Sequence, residues 1–528
     1  MKKFTALLLA LLLMLGCLAG CSGEKTPQDS SDPNDQVVEE LPKDLIIAVS
    51  AEPSNLDPQG IGMSTGLTMS GTFFYDSLLH YNSNTGEVEP CIITEWEWLD
   101  DITLNVKIRD DVVSVSGSKI TSADIQWMFE RATTLPALSA YAGSFDAAGI
   151  EIIGDYEMNL KLKNPDPIAL NYLCLTNFGV QSKADWEAAG GTDGIAQTAK
   201  AATGQYILKE WITGDHMTLV RNDNYWGEKA PYETVTIRYI ADASSRQMAL
   251  QSGDVMAIDR VPQSQASTIS SDPNLTLVEL SDAWNTYQVP LDCTHPALSN
   301  VKVRQAMNMA VNREALLSSV FFNYGTVSDG PFHSTHMLYS APGAKEAWVY
   351  DMEAAKALMA EAGYADGFSM TMIVMSTNQT YMDVCEFVQA AWSQLNIDVK
   401  IETYDNATFF TKLNGGEWDA YSIASSGINY LSPIKFTDNR REVGAQGYTQ
   451  FNASNESEFH KITDLLYTTL DVDASKEYAA DYQYVVREEV PVVNVVNSSV
   501  LFATAKTVDG AALTPMGDPD FSGLKPAN

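Results

Sequence analysis

The sequence predicts an α/β fold divided into two or three lobes, and three observations support this prediction. About 485 residues follow the N-terminal 43, which is too many for a single hydrophobic core. Residues 370–401 have the pattern strand, long helix, strand, which is typical of a parallel crossover unit. Residues 206–221 have the pattern of two short alternating strands around a Gly-Asp turn, which predicts an antiparallel hairpin.

The N-terminus has the pattern of a secretion signal. Two lysines follow Met1, and the apolar run at 4–18 is too short for a stable membrane span. Residues 18–21 resemble a lipobox, in which small residues admit the signal peptidase and the thiol of Cys21 carries the lipid. Cys17 lacks a Leu three residues before it, and the alternative is an ordinary signal peptide with an incidental Cys21. We predict a lipoprotein signal peptide at 1–20 and a lipid anchor at Cys21.

Residues 21–43 are predicted to form a flexible stalk. They are rich in Ser, Asp, Glu, Pro and Gln and poor in large apolar residues, so they cannot bury enough surface to fold. The whole chain has 68 Asp and Glu against 33 Lys and Arg, and removal of the signal leaves 31 basic residues. This acidic balance argues against nucleic acid binding through phosphates.

The cysteines outside the signal and the lipobox predict no metal ribbon and no redox motif. They are far apart in sequence, and the chain has no CxxC pair. We expect mostly buried free thiols. The alternative is that two of these cysteines form one disulfide, because an extracytoplasmic compartment allows it. The four residues are Cys91, Cys174, Cys293 and Cys385.

In the first part of the chain, short strands alternate with a loop and one capped helix. An apolar strand at 45–49 leads to a loop at 52–58, where two prolines prevent a regular element. Apolar and polar residues alternate at 104–108, as in a strand with one buried face. Thr121 caps the next helix, with Asp124 at its third position. Its apolar stripe consists of Ile125, Met128, Phe129 and Ala132.

Further strands are predicted at 158–162 and 235–239, on either side of the hairpin. A helix follows from about 244 to 252 and ends at Gly253. From 284–291 the chain is expected to cross to a second main lobe.

The second lobe begins with capped helices. Asn300 and Asn312 cap two helices, and Asp351 opens a third that ends at Gly363. The crossover unit at 370–401 makes this lobe α/β. The last 30 or so residues are expected to return to the first lobe.

Several of these blocks resemble one known family. Residues 201–226, AATGQYILKEWITGDHMTLVRNDNYW, resemble the signature GTGPY.L..W..G....L.RN..YW of the extracellular solute-binding proteins of the peptide, nickel and oligopeptide class. The blocks TSADIQWMFERA at 121–132 and VRQAMNMAVNREAL at 303–316 resemble packing motifs of the same family. The resemblance covers roughly residues 45–528 and follows the family's order.

The resemblance implies a fold like that of type II periplasmic binding proteins, with two α/β lobes around a hinged cleft and an inserted subdomain. Two crossings between the lobes would form the hinge. The expected bounds are 44–74, 202–283 and 498–528 for lobe I, 75–201 for the inserted subdomain and 284–497 for lobe II.

The same resemblance implies the binding component of an ATP-binding-cassette (ABC) importer, which is not an enzyme. A solute would enter the cleft and shift the population towards a closed form that the permease subunits recognise. The expected partners are a peptide or another small solute, the permease and, through the lipid anchor, the membrane. We expect a monomer without catalytic residues, metal ligands or cofactor, at the extracytoplasmic face of the cell membrane.

The run that matches the family's ligand-anchoring motif DY.DP carries no charge in this chain. Asn429 stands in place of the first Asp and Ser432 in place of the second, while Tyr430 and Pro433 are retained. A charge-assisted hydrogen bond contributes about 1.5–3 kcal/mol against about 1 for a neutral one, or roughly one decade in affinity. This weakens the dipeptide assignment without excluding it. The candidate ligand contacts are Asn429, Tyr430, Gly427, Trp284, Asn285, Tyr287, Ser64 and Met63, with core packing as the alternative for Trp284, Tyr287 and Met63.

Three other functions need weighing. An aromatic cleft without the charged anchor also suits an oligosaccharide. Nickel transport occurs in the family, but His333 and His336 have no nearby Cys or carboxylate cluster to complete a ligand set. The run GMSTG at 62–66 fits the nucleophile elbow of serine hydrolases, which requires a strand directly before it, whereas here a loop broken by Pro and Gly precedes it.

Overall fold

The computed structural model describes residues 43–60, 65–82, 85–135, 138–332, 338–339, 349–425, 434, 456–514 and 517–527. Residues 42–528 form one compact unit. The predicted signal peptide, the lipid anchor at Cys21 and nearly all of the predicted stalk lie outside the described residues. None of the helices in the described ranges is long and apolar enough to cross a membrane.

The strands of the described ranges are labelled in chain order. They are β1 Asp44–Val49, β2 Leu79–Asn82, β3 Glu87–Pro90, β4 Ile93–Asp100, β5 Thr103–Ile108, β6 Glu151–Gly154, β7 Glu157–Lys161, β8 Tyr206–Ile212, β9 His216–Arg221, β10 Thr234–Tyr239, β11 Ala257–Ile258, β12 Leu275–Pro290, β13 Gly325–Val327, β14 Ser369–Met375, β15 Asp398–Tyr404, β16 Ala420–Tyr421, β17 Ile423–Ser425, β18 Val492–Ala505, β19 Val508–Asp509, β20 Ala512–Leu513, β21 Pro519–Asp520 and β22 Lys525–Pro526.

The helices lie between these strands. They are α1 Thr65–Phe74, α2 Ser122–Ala132, α3 Ser139–Ala142, α4 Ala169–Tyr172, α5 Lys183–Ala188, α6 Thr192–Thr198, α7 Ala243–Ser252, α8 Gln263–Ser270, α9 Val301–Met309, α10 Arg313–Ser319, α11 Met352–Glu361, α12 Gln379–Ser393, α13 Asn406–Gly415, α14 Glu456–Thr468 and α15 Val472–Glu489. Two short 3-10 turns lie at Ala147–Gly149 and Thr176–Phe178.

A nine-stranded sheet, called here the central sheet, runs through the molecule. Its order is β17-β12-β18-β11-β1-β10-β9-β8, and β13 also pairs with β18. β1 lies parallel to both β10 and β11, so the carboxyl ends of these three strands share one edge of the sheet. The predicted hairpin is confirmed as β8 and β9, which pair antiparallel.

Two long antiparallel strands, β12 and β18, form the middle of the central sheet. Their pairing runs from Leu275 opposite Ala505 to Pro290 opposite Val492. The register shifts between Leu280 and Asn285, where β12 carries extra residues relative to β18. A bulge bends and twists a strand locally. The bulge therefore lies where the sequence predicts the chain to cross between lobes, although the lobe bounds themselves stay a prediction.

A separate four-stranded antiparallel sheet, β4-β5-β7-β6, lies in the first part of the chain. Helix α2 packs its predicted stripe inward, with Ile125, Met128, Phe129 and Ala132 all buried. Thr121 and Asp124 form the predicted capping box. The four apolar residues of the α2 stripe belong to one buried cluster that also includes Phe459 of α14 and Tyr482 of α15.

The predicted crossover unit is confirmed. β14 pairs in parallel with β15, which follows α12, and in parallel with β16 on its other side. The apolar stripe of α12 includes Val384, Val388 and Trp392, all fully buried in the core of this sheet. This part of the chain is α/β, as expected.

The block 303–316 acts in packing, as predicted. Arg304 donates from Nε to the carbonyl of Glu489 at 2.7 Å, and Arg313 donates from Nε to the carbonyl of Asn494 at 2.8 Å. Burial lowers the pKa of Arg313 to about 10, so it stays charged and pins α10 to β18. Among the cysteines, Cys174, Cys293 and Cys385 are buried free thiols and Cys91 is a partly exposed one.

Candidate functional site

Tyr287 lies on β12 beyond the bulge and is only 8% exposed. Its ring packs edge-on against Phe321 at 4.8 Å and against Tyr381 at 5.6 Å between ring centroids. Tyr381 is in the first turn of α12, just after Asn378 caps that helix. The ring of Tyr287 therefore belongs to the apolar core, which was the alternative that the sequence left open.

The hydroxyl of Tyr287 nevertheless lies in a polar group of side chains. Burial raises the pKa of Tyr287, and the neighbouring Tyr381 raises it further. Thr380, Asn285 and the positive charge of Arg260 act in the opposite direction. The hydroxyl stays protonated at neutral pH, so it can both donate and accept hydrogen bonds.

Arg260 contributes a positive charge that acts on both of these tyrosines. It follows β11 at the carboxyl edge shared with β1, and its Nη2 lies 2.7 Å from Oδ1 of Asp518. Burial acts to lower the pKa of Arg260, but the carboxylate of Asp518 outweighs this and the net shift is upward. Half of the side-chain surface of Arg260 is still exposed. The sequence predicted no role for this residue, because no motif or spacing marks it.

Strand β17 ends the central sheet beside these side chains. It pairs with β12, with Ala424 opposite Tyr287 and Ser425 opposite Thr286. Within the described ranges no strand pairs with its other side. The backbone of Ala424 makes a polar contact with the hydroxyl of Tyr381 there. The chain then continues into residues 426–433.

The predicted ligand contacts are only partly described. Asn285 and Tyr287 lie together in this group, and their contact with a ligand stays a prediction. Trp284 is in β12, but its side chain lies outside the description. Met63, Ser64, Gly427, Asn429 and Tyr430 lie outside the described residues, so their contacts stay predictions.

The loop that leads from β1 towards residues 61–64 is held by buried polar groups. Asp57 is fully buried and pairs with Arg131 of α2. Asn177 donates from Nδ2 to the carbonyl of Pro58 at 2.7 Å. Tyr75 donates from its hydroxyl to the carbonyl of Leu56 at 2.8 Å. These contacts fix the loop at residues 56–58 against α2 and the segments that carry Tyr75 and Asn177.

The residues that close the signature hairpin contact a block more than 140 residues earlier. Tyr225 donates its hydroxyl to Oδ1 of Asp76 at 2.8 Å, and Trp226 donates from Nε1 to Oδ2 at 2.9 Å. Arg109 lies over the ring of Trp226 at 4.2 Å from its centroid. Burial raises the pKa of Asp76 to about 6, against the lowering effect of these donors and of Arg109. The signature thus joins the central sheet to the region of the four-stranded sheet.

The other predicted sites gain no support. Residues 51–60, before GMSTG, contain no strand, so the required strand does not lead into the Ser. His333 and His336 lie outside the described residues. In the described ranges no group of three or more His, Cys, Asp or Glu side chains is arranged to hold a metal ion. An open depression of about 580 Å³ lies beside β5, and its lining includes the ion pair of Arg109 with Asp111 at 2.7 Å.

Comparison of the sequence with known proteins finds matches to bacterial solute-binding proteins. Residues 87–447, more than half of the chain, match the family described as bacterial extracellular solute-binding proteins, family 5. The chain is 25% identical over 510 residues to heme-binding protein A of Haemophilus influenzae, covering 88% of this chain and 90% of that protein. It is 22% identical over 513 residues to the dipeptide-binding protein of Escherichia coli, covering 91% and 94%.

The fold matches solved structures over nearly the whole chain. The periplasmic binding protein DppA from Helicobacter pylori, in complex with the peptide STSA, superposes with a TM-score of 0.76 at 20% identity. The match covers 92% of this chain and 99% of that chain. The architecture is that of type II periplasmic binding proteins, as the sequence predicted.

Proposed function

Since the chain belongs to family 5 of the bacterial extracellular solute-binding proteins, which are binding components of ABC importers and not enzymes, we propose that it captures peptides. In this proposal lobes I and II close on a di- or oligopeptide, and the permease recognises the closed form. The dipeptide-binding relative and the peptide-bound neighbour support this ligand class.

The observation that carries the peptide assignment is the edge position of β17. An edge strand offers unpaired backbone groups, and an extended peptide can add to it as a further strand. β17 is held to β12 on one side and runs directly into 426–433, the run that resembles the family's ligand-anchoring motif. Main-chain hydrogen bonds would give affinity without demanding particular side chains.

Asn429 is the proposed neutral anchor for the amino-terminal end of the ligand. Its side chain can accept a hydrogen bond from a ligand N–H, but it brings no charge. Recognition of a free amino terminus should therefore be weak. Tyr430, Gly427 and Trp284 are proposed to line the same cleft, with Met63 and Ser64 on the lobe I side.

The hinge is proposed to lie at the bulge of β12. Both β12 and β18 pass from one proposed lobe to the other, and between Leu280 and Asn285 their pairing is interrupted. A few residues at such an element break can absorb the change in backbone angles during closure. The two strands would keep the lobes aligned while the angle between them changes.

The same proposal places the chain at the outer face of the cell membrane as a monomer. The lipobox at 18–21 supports a lipid anchor at Cys21, and the polar composition of 21–43 supports a stalk that lets the lobes reach the permease.

A thermal-shift screen of the protein without residues 1–21 tests the ligand class. Di- to pentapeptides, oligosaccharides and nickel are compared, and a ligand at 100 times its Kd should stabilise the protein by about 2.7 kcal/mol. Stabilisation by peptides alone supports the proposal. Stabilisation by sugars or nickel with peptides silent would replace the peptide assignment and leave the importer role intact.

An Asn429→Asp variant tests the anchor. The new carboxylate should improve binding of peptides with a free amino terminus by roughly tenfold and leave their acetylated forms unchanged. Asn396→Asp, in the turn after α12, is the matched control and should change neither. Equal affinities of wild type and Asn429→Asp for the free and the acetylated peptide would remove Asn429 from the site.

A further inference from the structure

The pairing of β12 with β18 is interrupted a second time, on the proposed lobe II side of the bulge described above. Tyr287 lies opposite Val496. The next residue, Gln288, lies opposite Asn494, so β18 carries one extra residue, Val495, at this break. A bulge bends its strand and increases the local twist. The two breaks leave only a short paired segment between them, so the relative twist of the strands can change on either side of it.

Gln288 and Asn494 each bury a side-chain atom that lacks a hydrogen-bond partner. Gln288 is 2% exposed and Asn494 is 8% exposed. Within the described part of the chain, Nε2 of Gln288 and Oδ1 of Asn494 are both unpaired. The first is a donor and the second an acceptor. Because a buried polar group without a hydrogen bond costs free energy, these two atoms destabilise the conformation in which they are unpaired.

The two unpaired atoms can satisfy each other. Residues directly opposite in an antiparallel pair have Cβ atoms about 4.5–5.5 Å apart and share one face of the sheet. At that separation two amide side chains meet by rotation about their own bonds, once the twist of the strands brings donor and acceptor into line.

A neighbouring pair on the same strands already forms such a bond. Thr286 lies directly opposite Asn497, on the near side of the second break. Its Oγ1 donates to Oδ1 of Asn497 at 2.8 Å, and both side chains are buried. The second break therefore separates a polar pair that is bonded from one that is not.

The backbone of β18 at this break is fixed to the proposed lobe II. Arg313 of α10 donates from Nε to the carbonyl of Asn494 at 2.8 Å. Ser328, which follows β13, donates its N–H to the carbonyl of Val495 at 3.2 Å. A change in the angle between the strands during closure therefore moves Gln288 relative to a fixed Asn494.

We propose that Gln288 and Asn494 are positioning residues of solute capture, whose side chains form one hydrogen bond when the lobes close. This inference rests on the proposed function, because closure on a peptide is taken as the change that pairs them. The conformation described here is taken as the one that precedes closure. The new bond favours the closed form, so it raises the affinity for the solute without touching it.

Gln288→Met and Asn494→Leu test the inference with apolar side chains of similar size. Each removes one buried unpaired atom from the ligand-free protein, so its Tm should rise or stay unchanged. Each also prevents the bond in the closed form, so the affinity for Ala-Ala-Ala, measured by calorimetry on the mature protein, should fall about fivefold. The double variant should bind no more weakly than either single variant, because one bond can be lost only once.

Two further variants separate this role from packing. The exchange variant, Gln288→Asn with Asn494→Gln, keeps two amides of the same combined length and should retain the wild-type affinity. Thr286→Val is the matched control, because it breaks a bond that is already formed. It should lower the Tm of the ligand-free protein and leave the affinity for Ala-Ala-Ala unchanged.

Unchanged affinity in the single variants, or losses that add in the double variant, overturn the inference and leave peptide capture intact. A lower ligand-free Tm in both single variants also overturns it, because their amides would then already make stabilising bonds before closure. An exchange variant that binds as weakly as the single variants has the same consequence. Failure of every di- to pentapeptide to bind the wild type contradicts the proposed function and the inference with it.

Discussion

The guanidinium of Arg131 pairs with the carboxylate of Asp57, a side chain with no exposed surface. Nη1 of Arg131 also lies 2.9 Å from Oδ1 of Asp57, so the contact is two-pronged. This pair joins the loop after β1 to α2, and it links two of the blocks that the sequence analysis treated separately.

Replacing Arg131 with Leu should lower the free energy of unfolding by about 3–5 kcal/mol, because it leaves the buried carboxylate of Asp57 without its cation. Urea unfolding measures the change. The control is Lys356→Ala, which removes an exposed pair with Glu353 and should cost less than about 1 kcal/mol. Equal decreases in the free energy of unfolding of the two variants would show that the buried pair stabilises the fold no more than an exposed pair does.

Asp76 should make stability depend on pH. Its folded pKa is raised to about 6 from an ordinary 3.8, chiefly by burial, so the folded protein keeps a proton that the unfolded chain has released. Stability should therefore fall as pH rises from about 4 to 6 and level off above. Relative to wild type, Asp76→Asn should gain about 1–3 kcal/mol over that window. A constant difference between the two proteins from pH 4 to 7 would contradict the raised pKa.

Gly325 should tolerate no side chain. Its φ is 128°, and a Cβ there would lie 2.3 Å from the carbonyl oxygen of Asn497 on β18. Gly325→Ala should cost more than about 2 kcal/mol, from backbone strain and from loss of the β13 pairing. Gly330→Ala is the control, because a Cβ there meets open space. Thermal unfolding of both variants measures the difference, and similar Tm values would refute the prediction.

Cys21→Ala should abolish lipid attachment in the native host. In the proposed lipobox the modified thiol is that of Cys21, and without an acyl chain the protein should leave the membrane fraction. Cys17→Ala should remain membrane-bound, since Cys17 lies within the proposed signal peptide and should be absent from the mature protein. Mass spectrometry of the mature N-terminus detects the lipid. Its presence in Cys21→Ala would reject the assignment.

Much of the fold followed from short-range patterns. The capping box at Thr121, the hairpin of β8 and β9 and the parallel pair β14 and β15 depend on spacing within a few tens of residues, and all three are confirmed. Such patterns report periodicity and caps, which neighbouring residues determine.

Contacts between residues far apart in the sequence could not be predicted from such short-range patterns. Arg260 meets Asp518 across 258 residues, and Asp76 meets Trp226 across 150. These pairs depend on which strands are neighbours in the central sheet, and one sequence does not encode that order locally. The left-handed φ of Arg260 could not be predicted from its residue type either, because Gly or Asn is the usual residue in that conformation.

Native mass spectrometry of the mature protein after mixing with a peptide library, an oligosaccharide library and nickel tests peptide capture most directly. The account predicts that each monomer retains one ligand with the mass of a peptide. An excess of one short competing peptide should displace that ligand. Retention of a saccharide or a metal complex, with no peptide held at any concentration, would contradict it.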